Sequence, residues 1–510
     1  MKSSKFLPTA FSALGLLFIA PLVPAAEQPN ILFCIADDAS MITFGAYGGK
    51  MIETPAFDRL AKEGAIFQNA YNCNPKCAPA RACLVTGMYS WQLKEAGNHF
   101  PHFPGEFKWY PHLLMEEGFH VGHTGKGWGP GTFEGEINPA GPAYNEETLT
   151  PPYKGMHPIN YAANFEKFLD GKPAEKPFCF WFGTYEPHRA YEKGSWKKAG
   201  MKLEDAEVPP FLPDNEIVRG DILDYALEVK WVDTQLGKAI QALEERGMLD
   251  NTLILVTSDH GMPFPRVKGQ LYEEGVHVPM IAYWKGVIQP GRVIEDFVNF
   301  PDVAPTIMEA VGLRPHEQMT GKSFLDVLKS EKSGQIDPER DHVLLGKERH
   351  DIGTANEDGT DLSYPVRAIR TKDFFYVHNI KSDRWPAGNP EFGWRNTDGS
   401  PTKDYLTALK PGDADYKFYE MSFGMRPEEE LYQIRKDPHN LDNLAKDPEY
   451  QPTIKKLRDR MERQLTEQKD PRMLGTGDVF DEYPYVGKQL DYSTGEIIGQ
   501  GKSKKNKAKK

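Results

Sequence analysis

Apolar residues in this chain fall into two patterns that alternate along its first half. Residues 30–36 (NILFCIA), 177–183 (PFCFWFG) and 252–257 (TLILVT) are short runs with little polar interruption, and 119–123 form a weaker one. Runs of this length predict strands covered on both faces, as in a parallel sheet. Between them the period changes. Tyr225, Val229, Val232, Leu236, Ile240 and Leu243 recur at three- and four-residue spacing and stop at Gly247, which predicts an amphipathic helix. Thr54-Pro55 predicts a helix start and Gly64 its end, and residues 106–117 predict another helix stopped by Gly118. Strand and helix in alternation predict an α/β fold with a mainly parallel sheet between helices.

After about residue 360 the pattern shifts. Residues 364–380 predict two short strands around a Thr-Lys-Asp turn, and Glu430-Leu431-Tyr432 precedes a charged helix near 451–468. A smaller α+β domain with an antiparallel sheet follows from this, giving a catalytic domain over 27–360 and a second domain over 361–500. Residues 383–415, rich in Gly, Pro and Asp, predict a long loop bordering the active site.

Composition narrows the class. At 510 residues the chain is long enough for one large domain and a smaller one. Residues 1–25 carry Lys2 and Lys5, an apolar stretch and then small residues, which predicts a secretory signal cleaved after Ala25 or Ala26. The mature chain is therefore expected to be exported, periplasmic or secreted. No later stretch reaches the roughly 18 apolar residues of a membrane span. Five cysteines are few for a disulfide framework, and the net charge of -12 argues against nucleic acid as a partner. The lysine-rich residues 501–510 predict a disordered, solvated tail.

The chemistry lies at strand ends. Asp37 and Asp38 follow the first apolar run, and Asp259 and His260 follow the run 252–257. Ligands of open α/β sheets sit at that edge, and adjacent carboxylates there repel unless a cation neutralises them. Three carboxylates without a set of thiolates point to a hard divalent ion, calcium or magnesium, with His260 as a fourth ligand. Lys126 sits in a glycine-bearing turn, Lys268 beyond a proline-bearing loop, and His188 and Arg189 after the run 177–183. Cys77-Ala78-Pro79-Ala80-Arg81 places a sulfur at a predicted helix start, where free N–H groups favour an anion, with a planar cation one turn on. Taken alone, this pair also fits a small buried cysteine beside a structural arginine.

Cys77-x-Pro79-x-Arg81 with Thr86-Gly87 resembles the signature of the type I sulfatases, and the strand-end residues resemble that family in the same order. Within it, Thr257–Pro265, Tyr364-Pro-Val-Arg367, Val377-His-Asn379 and Asp437-Pro-His439 are similar to the heparan N-sulfatases, or sulfamidases. The resemblance implies an alkaline-phosphatase-like fold and Cys77 oxidised to formylglycine by a formylglycine-generating or sulfatase-maturing enzyme. It also implies a metal held by Asp37, Asp38, Cys77, Asp259 and His260, with Arg81 on the formylglycine hydrate. Lys126 and Lys268 would then grip the sulfate and His188 would assist proton transfer. The implied substrate is a sulfated saccharide, foremost N-sulfoglucosamine of heparan sulfate; O-sulfated glycans, and phosphate or phosphonate monoesters, are the alternatives. There are two departures. Ala80 stands where many members have serine, and Lys126-Gly127-Trp128 replaces the family's Lys-x-His, leaving His99, His102 or His123 to take that histidine's place. Candidate substrate contacts are His99, Trp128, Arg189, Arg349 and His350.

Overall fold

A computed structural model describes residues 28–356 and 359–500; the signal segment and the lysine-rich tail lie outside the described residues. Within the first three hundred residues, seven strands build the main sheet: β1 (Asn30–Ala36), β2 (Ala65–Phe67), β3 (His120–Gly125), β4 (Phe178–Gly183), β5 (Thr252–Ser258), β6 (Met280–Tyr283) and β7 (Arg292–Ile294). They form one sheet in the order β7-β2-β6-β5-β1-β4-β3. β1 lies inside it, parallel to β4 and β5, with Phe33 opposite Trp181 on one side and Leu255 on the other. Only β6 runs against its neighbours.

The apolar runs are explained by what covers them. Every residue of β1, β4 and β5 is buried. Leu32, Phe180 and Ile254 face one helical layer, which includes α1 (Pro55–Glu63), α4 (Tyr161–Asp170) and the long α5 (Glu216–Glu245). Phe33, Trp181 and Leu255 face the other, which includes α2 (Cys77–Thr86), α3 (Tyr110–Glu116) and α6 (Val303–Ala310). Each such large side chain stabilises the sandwich by about 1.5–3 kcal/mol relative to exposure. α3 starts later than residue 106 because Pro111 pre-sets its first turn, and residues 102–103 pair as a short strand with 132–133.

A second, antiparallel sheet joins β8 (His342–Lys347), β9 (Val366–Thr371), β10 (Phe374–Asn379) and β11 (Glu429–Gln433) in that order. It therefore begins at His342, upstream of the change in sequence pattern near 360. The helix α7 (Gln451–Glu467) packs Ile454, Leu457, Met461 and Leu465 on this sheet. Residues 383–415 are not a plain loop, for Ser400 caps a helix over Pro401–Ala408. Among the described residues all five cysteines are buried and unbonded, with the Cys73 and Cys83 sulfurs 3.0 Å apart.

Candidate active site

The carboxyl ends of β1, β3, β4 and β5 meet over the first turn of α2. Backbone bonds stitch them together: Asp37 N–H donates to the Glu186 carbonyl and Asp259 N–H to that of Ala36. Lys126 N–H donates to the Gly183 carbonyl at 2.9 Å, an approach that requires a glycine at 125, where a Cβ would lie 2.0 Å from that same oxygen. Asp38 adopts a left-handed φ of 80°, and its N–H donates to Asp259 Oδ1 at 3.0 Å. A non-glycine residue held this way stores backbone strain, of the kind found at binding sites.

The sulfur of Cys77, the first residue of α2, stands at the centre. It lies 3.5 Å from Asp37 Oδ1, 4.0 Å from Asp38 Oδ1 and 3.4 Å from His260 Nε2. Ligand atoms of Asp38, Cys77, Asp259 and His260 all fall within 4.8 Å of one another, and all four residues are buried. Calcium holds its ligands at about 2.3–2.6 Å, so donors on opposite sides of one ion stand about 5 Å apart, and this set fits a single hard cation. His260 faces the Gly261 carbonyl through Nδ1 at 3.0 Å. With its proton donated there, Nε2 presents a lone pair to the cluster. Burial holds the His260 imidazole below its ordinary value, which keeps it neutral and able to ligate.

Cations line the other side. Arg81, fully buried, donates from Nε to Asp259 Oδ2 at 3.0 Å and from Nη1 to the carbonyls of Lys126 and Gly127. Its Nη2 has no hydrogen-bond acceptor among the described residues and lies 3.5 Å from Asp37 Oδ1, beside the sulfur. Lys126 Nζ reaches Asp37 Oδ2 at 2.5 Å, and Lys268 Nζ reaches Asp38 Oδ2 at 2.6 Å and Asp398 Oδ2 at 2.9 Å. Burial would lower both ammonium groups, but the facing carboxylates outweigh it and hold both above the ordinary lysine value. Burial likewise works against the Asp259 carboxylate, yet the Arg81 and Lys126 cations hold it below the usual range. Here the carboxylates of Asp37, Asp38, Asp259 and Asp398 outnumber the three cations paired with them. A divalent cation reverses that balance and makes the site attractive to an anion. The Cys77 thiol is pushed up, first by burial, so it is not a thiolate nucleophile in waiting.

Above this centre opens a cavity of about 800 Å³. His188 lines it, with a ring nitrogen within 4.8 Å of the Cys77 sulfur and an Asp37 oxygen, and its Nδ1 faces the Arg189 carbonyl at 2.7 Å. Trp128 forms a wall: its indole N–H donates to the Ala78 carbonyl at 3.1 Å and its ring packs on Phe103. His99 lines the cavity with neither ring nitrogen hydrogen-bonded among the described residues, and Nδ1 stands 4.0 Å from Asp351 Oδ2. His123 lines it too, with Nδ1 on the Gly141 carbonyl, whereas His102 is exposed and bonded to Thr132.

The other three expected substrate contacts have internal partners instead. Arg189 touches the cavity, but its guanidinium forms two bonds with Asp221 and one with the Pro263 carbonyl, between the rings of Tyr191 and Phe264. Arg349 turns to the carbonyls of Tyr483 and Pro484, and His350 to Asn74 Oδ1. Both are buried, and neither lines the cavity. Residues not singled out from the sequence also line it, among them Lys76, His157, Asp351 and Asp398. Asp398 carries a sequence signal only through its place in the segment 383–415.

Comparison with known proteins agrees with this geometry. A sulfatase family model matches residues 29–313. An ulvan-active sulfatase of Formosa agariphila is 28% identical over 496 residues, spanning 86% of this chain and 75% of that protein. Human N-sulphoglucosamine sulphohydrolase is 28% identical over 506 residues, spanning 90% of this chain and 94% of that one. A solved structure holding D-glucosamine-2-N,6-O-disulfate shares the fold, with a TM-score of 0.62 and 19% identity over 87% of this chain and 99% of its own. The family match takes in the whole main sheet and every residue gathered around Cys77 from Asp37 to Lys268, and the chain belongs to the sulfatase family of hydrolases.

Proposed function

We propose that this sulfatase uses a formylglycine at position 77 and a divalent cation to release sulfate from a saccharide, with N-sulfoglucosamine as its substrate unit. The observation that carries the reading is the setting of Cys77, a buried and protonated thiol at a helix N-terminus among metal-ligand donors, two lysines and an open arginine N–H. A thiol so placed is a poor nucleophile. Converted to an aldehyde and hydrated, residue 77 supplies two hydroxyls on one carbon: one attacks sulfur, and the other, on losing its proton, expels sulfate and restores the aldehyde. When bound, the cation, held by Asp37, Asp38, Asp259 and His260, supplies positive charge to the sulfuryl oxygens.

The remaining work belongs to side chains already in place. Arg81 Nη2 fixes residue 77 through its unused donor. Lys126 and Lys268 stabilise charge on the sulfuryl oxygens, from positions fixed by Asp37 and Asp38 before substrate arrives. His188 carries the proton between residue 77 and the departing oxygen or nitrogen. Trp128 closes the wall beside α2 and keeps water from it. The N-sulfo assignment rests on likeness to the human N-sulphoglucosamine sulphohydrolase along nearly the whole of both chains. In this reading the protein is exported and a formylglycine-generating or sulfatase-maturing enzyme oxidises Cys77.

A desulfation panel of N-, 2-O-, 3-O- and 6-O-sulfated glucosamine saccharides tests the assignment. Sulfate release from the N-sulfated member is expected; release from O-sulfated members alone would transfer the activity to an O-sulfatase.

A further inference from the structure

Lys76 has a position that the reaction just described does not use. It precedes Cys77 and is the residue before the first turn of α2. Its side chain lines the 800 Å³ cavity, is 2% exposed, and makes no hydrogen bond or ion pair with any described residue. A lysine head group turned into a cavity with no partner is rarely kept there without a use. The other two lysines of the cavity are held by Asp37 and Asp38.

His99, Lys268, Asp351 and Asp398 line the same cavity as Lys76. The nearby carboxylates are engaged elsewhere: Asp398 pairs with Lys268, and Asp351 accepts from Tyr485 and from the Ile352 N–H. His99 lines this cavity too, buried and with neither ring nitrogen hydrogen-bonded among the described residues. The cavity also shares Phe100, Pro130, Gly131, Asp351 and Asp398 with an outer chamber of about 1030 Å³, so a ligand longer than one sugar has room.

We propose that Lys76, with His99 beside it, is the anchor of an anion subsite that takes a second anionic group of the saccharide, a ring carboxylate or a further sulfate. This rests on the reading of the site as one that desulfates saccharides. The subsite lies on the wall facing Asp351, and it selects substrates that carry a second negative charge near the scissile sulfate.

Lys76→Met compared with wild type on three matched saccharides tests this: one bearing the scissile sulfate alone, one with a neighbouring carboxylate, one with a second sulfate. The expected result is a KM about tenfold or more higher on a doubly anionic substrate, kcat within about twofold, and little change on the singly charged one. Whichever doubly anionic substrate suffers identifies the group bound, and Lys76→Arg restores most of the loss. Equal losses on all three substrates, or no loss on any, would overturn the proposal. Thermal melting supplies an arm that needs no turnover. Lys76→Met removes a side chain that holds no hydrogen bond or ion pair among the described residues, so its midpoint should match or exceed that of wild type; a lower midpoint would reveal a structural role and overturn the proposal. A saccharide carrying the second anionic group but no scissile sulfate should raise the midpoint of wild type and not of Lys76→Met, and equal shifts in both would contradict it. Absence of sulfate release by wild type from all three would instead defeat the proposed activity, leaving the melting arm to judge Lys76.

Discussion

Lys126 and Lys268 stand on carboxylates that sit on either side of Cys77, so each is positioned before any substrate arrives. Losing such a preorganised donor costs about 10²–10³ in rate, and Lys126→Ala or Lys268→Ala should each lower kcat by about that factor in steady-state sulfate release. A loss confined to KM would mean that the lysine only binds. Chelation should act on the same cluster. With the divalent cation removed, Asp37, Asp38 and Asp259 repel one another, so both activity and thermal midpoint should fall, and added calcium or magnesium should restore them. Full activity in chelator would remove the metal from the account. At this scale the sequence was legible where a residue directly follows a buried strand, as Asp37, Asp38, Lys126 and Asp259 do. His99, Arg349 and His350 were harder, because what turns each side chain toward or away from the cavity lies in remote segments: Asp351, the 483–484 backbone and Asn74. Lys76 carried no signal of its own, since only packing shows that it is buried and unpaired.

The elements are tied together by a buried carboxylate. Glu273 opens the short helix Glu273–Val276 and accepts from Arg370 of β9 at 2.8 and 3.0 Å, from the Tyr71 hydroxyl at 2.7 Å, and faces His277 at 3.2 Å. It thus joins the second sheet to the segment that leads into α2. Burial would raise the Glu273 carboxyl, but Arg370 and His277 outweigh it and hold it well below the usual range. A depressed carboxyl contributes stability that is complete above its unfolded value, about 4.3, and is lost as pH falls toward the folded value. Arg370→Met strands the carboxylate and should cost about 3–5 kcal/mol near neutrality. The difference in urea midpoint from wild type should narrow as pH falls from about 5 to about 3, as wild type loses the stabilisation that its depressed Glu273 carboxyl provides. A difference independent of pH would contradict this assignment. None of these partners is visible as a pattern, whereas the strands themselves were. β1, β4, β5, β9 and β10 were legible within a residue or two because their burial is written as composition. The start of the second sheet at His342 was not, because a strand belonging to it precedes the change in pattern and only its pairing with β9 reveals the membership.

Over the whole molecule, the main sheet gathers its strand ends and the start of α2 at one cavity, and the net charge of -12 leaves its anion affinity to local groups. The order of chemistry-bearing residues along the chain was readable because the parallel sheet sends each strand's carboxyl end to the same edge. Export is a further expectation at this scale: the N-terminus of the mature protein, sequenced from the periplasm or medium, should follow Ala25 or Ala26, and a chain retaining Met1 there would contradict it. The account depends most on residue 77. Its direct test is the mass of the peptide carrying residue 77, taken from a preparation that releases sulfate. Formylglycine predicts a peptide about 18 Da lighter than its cysteine form; an unmodified thiol in enzyme turning over at its full rate would contradict the account.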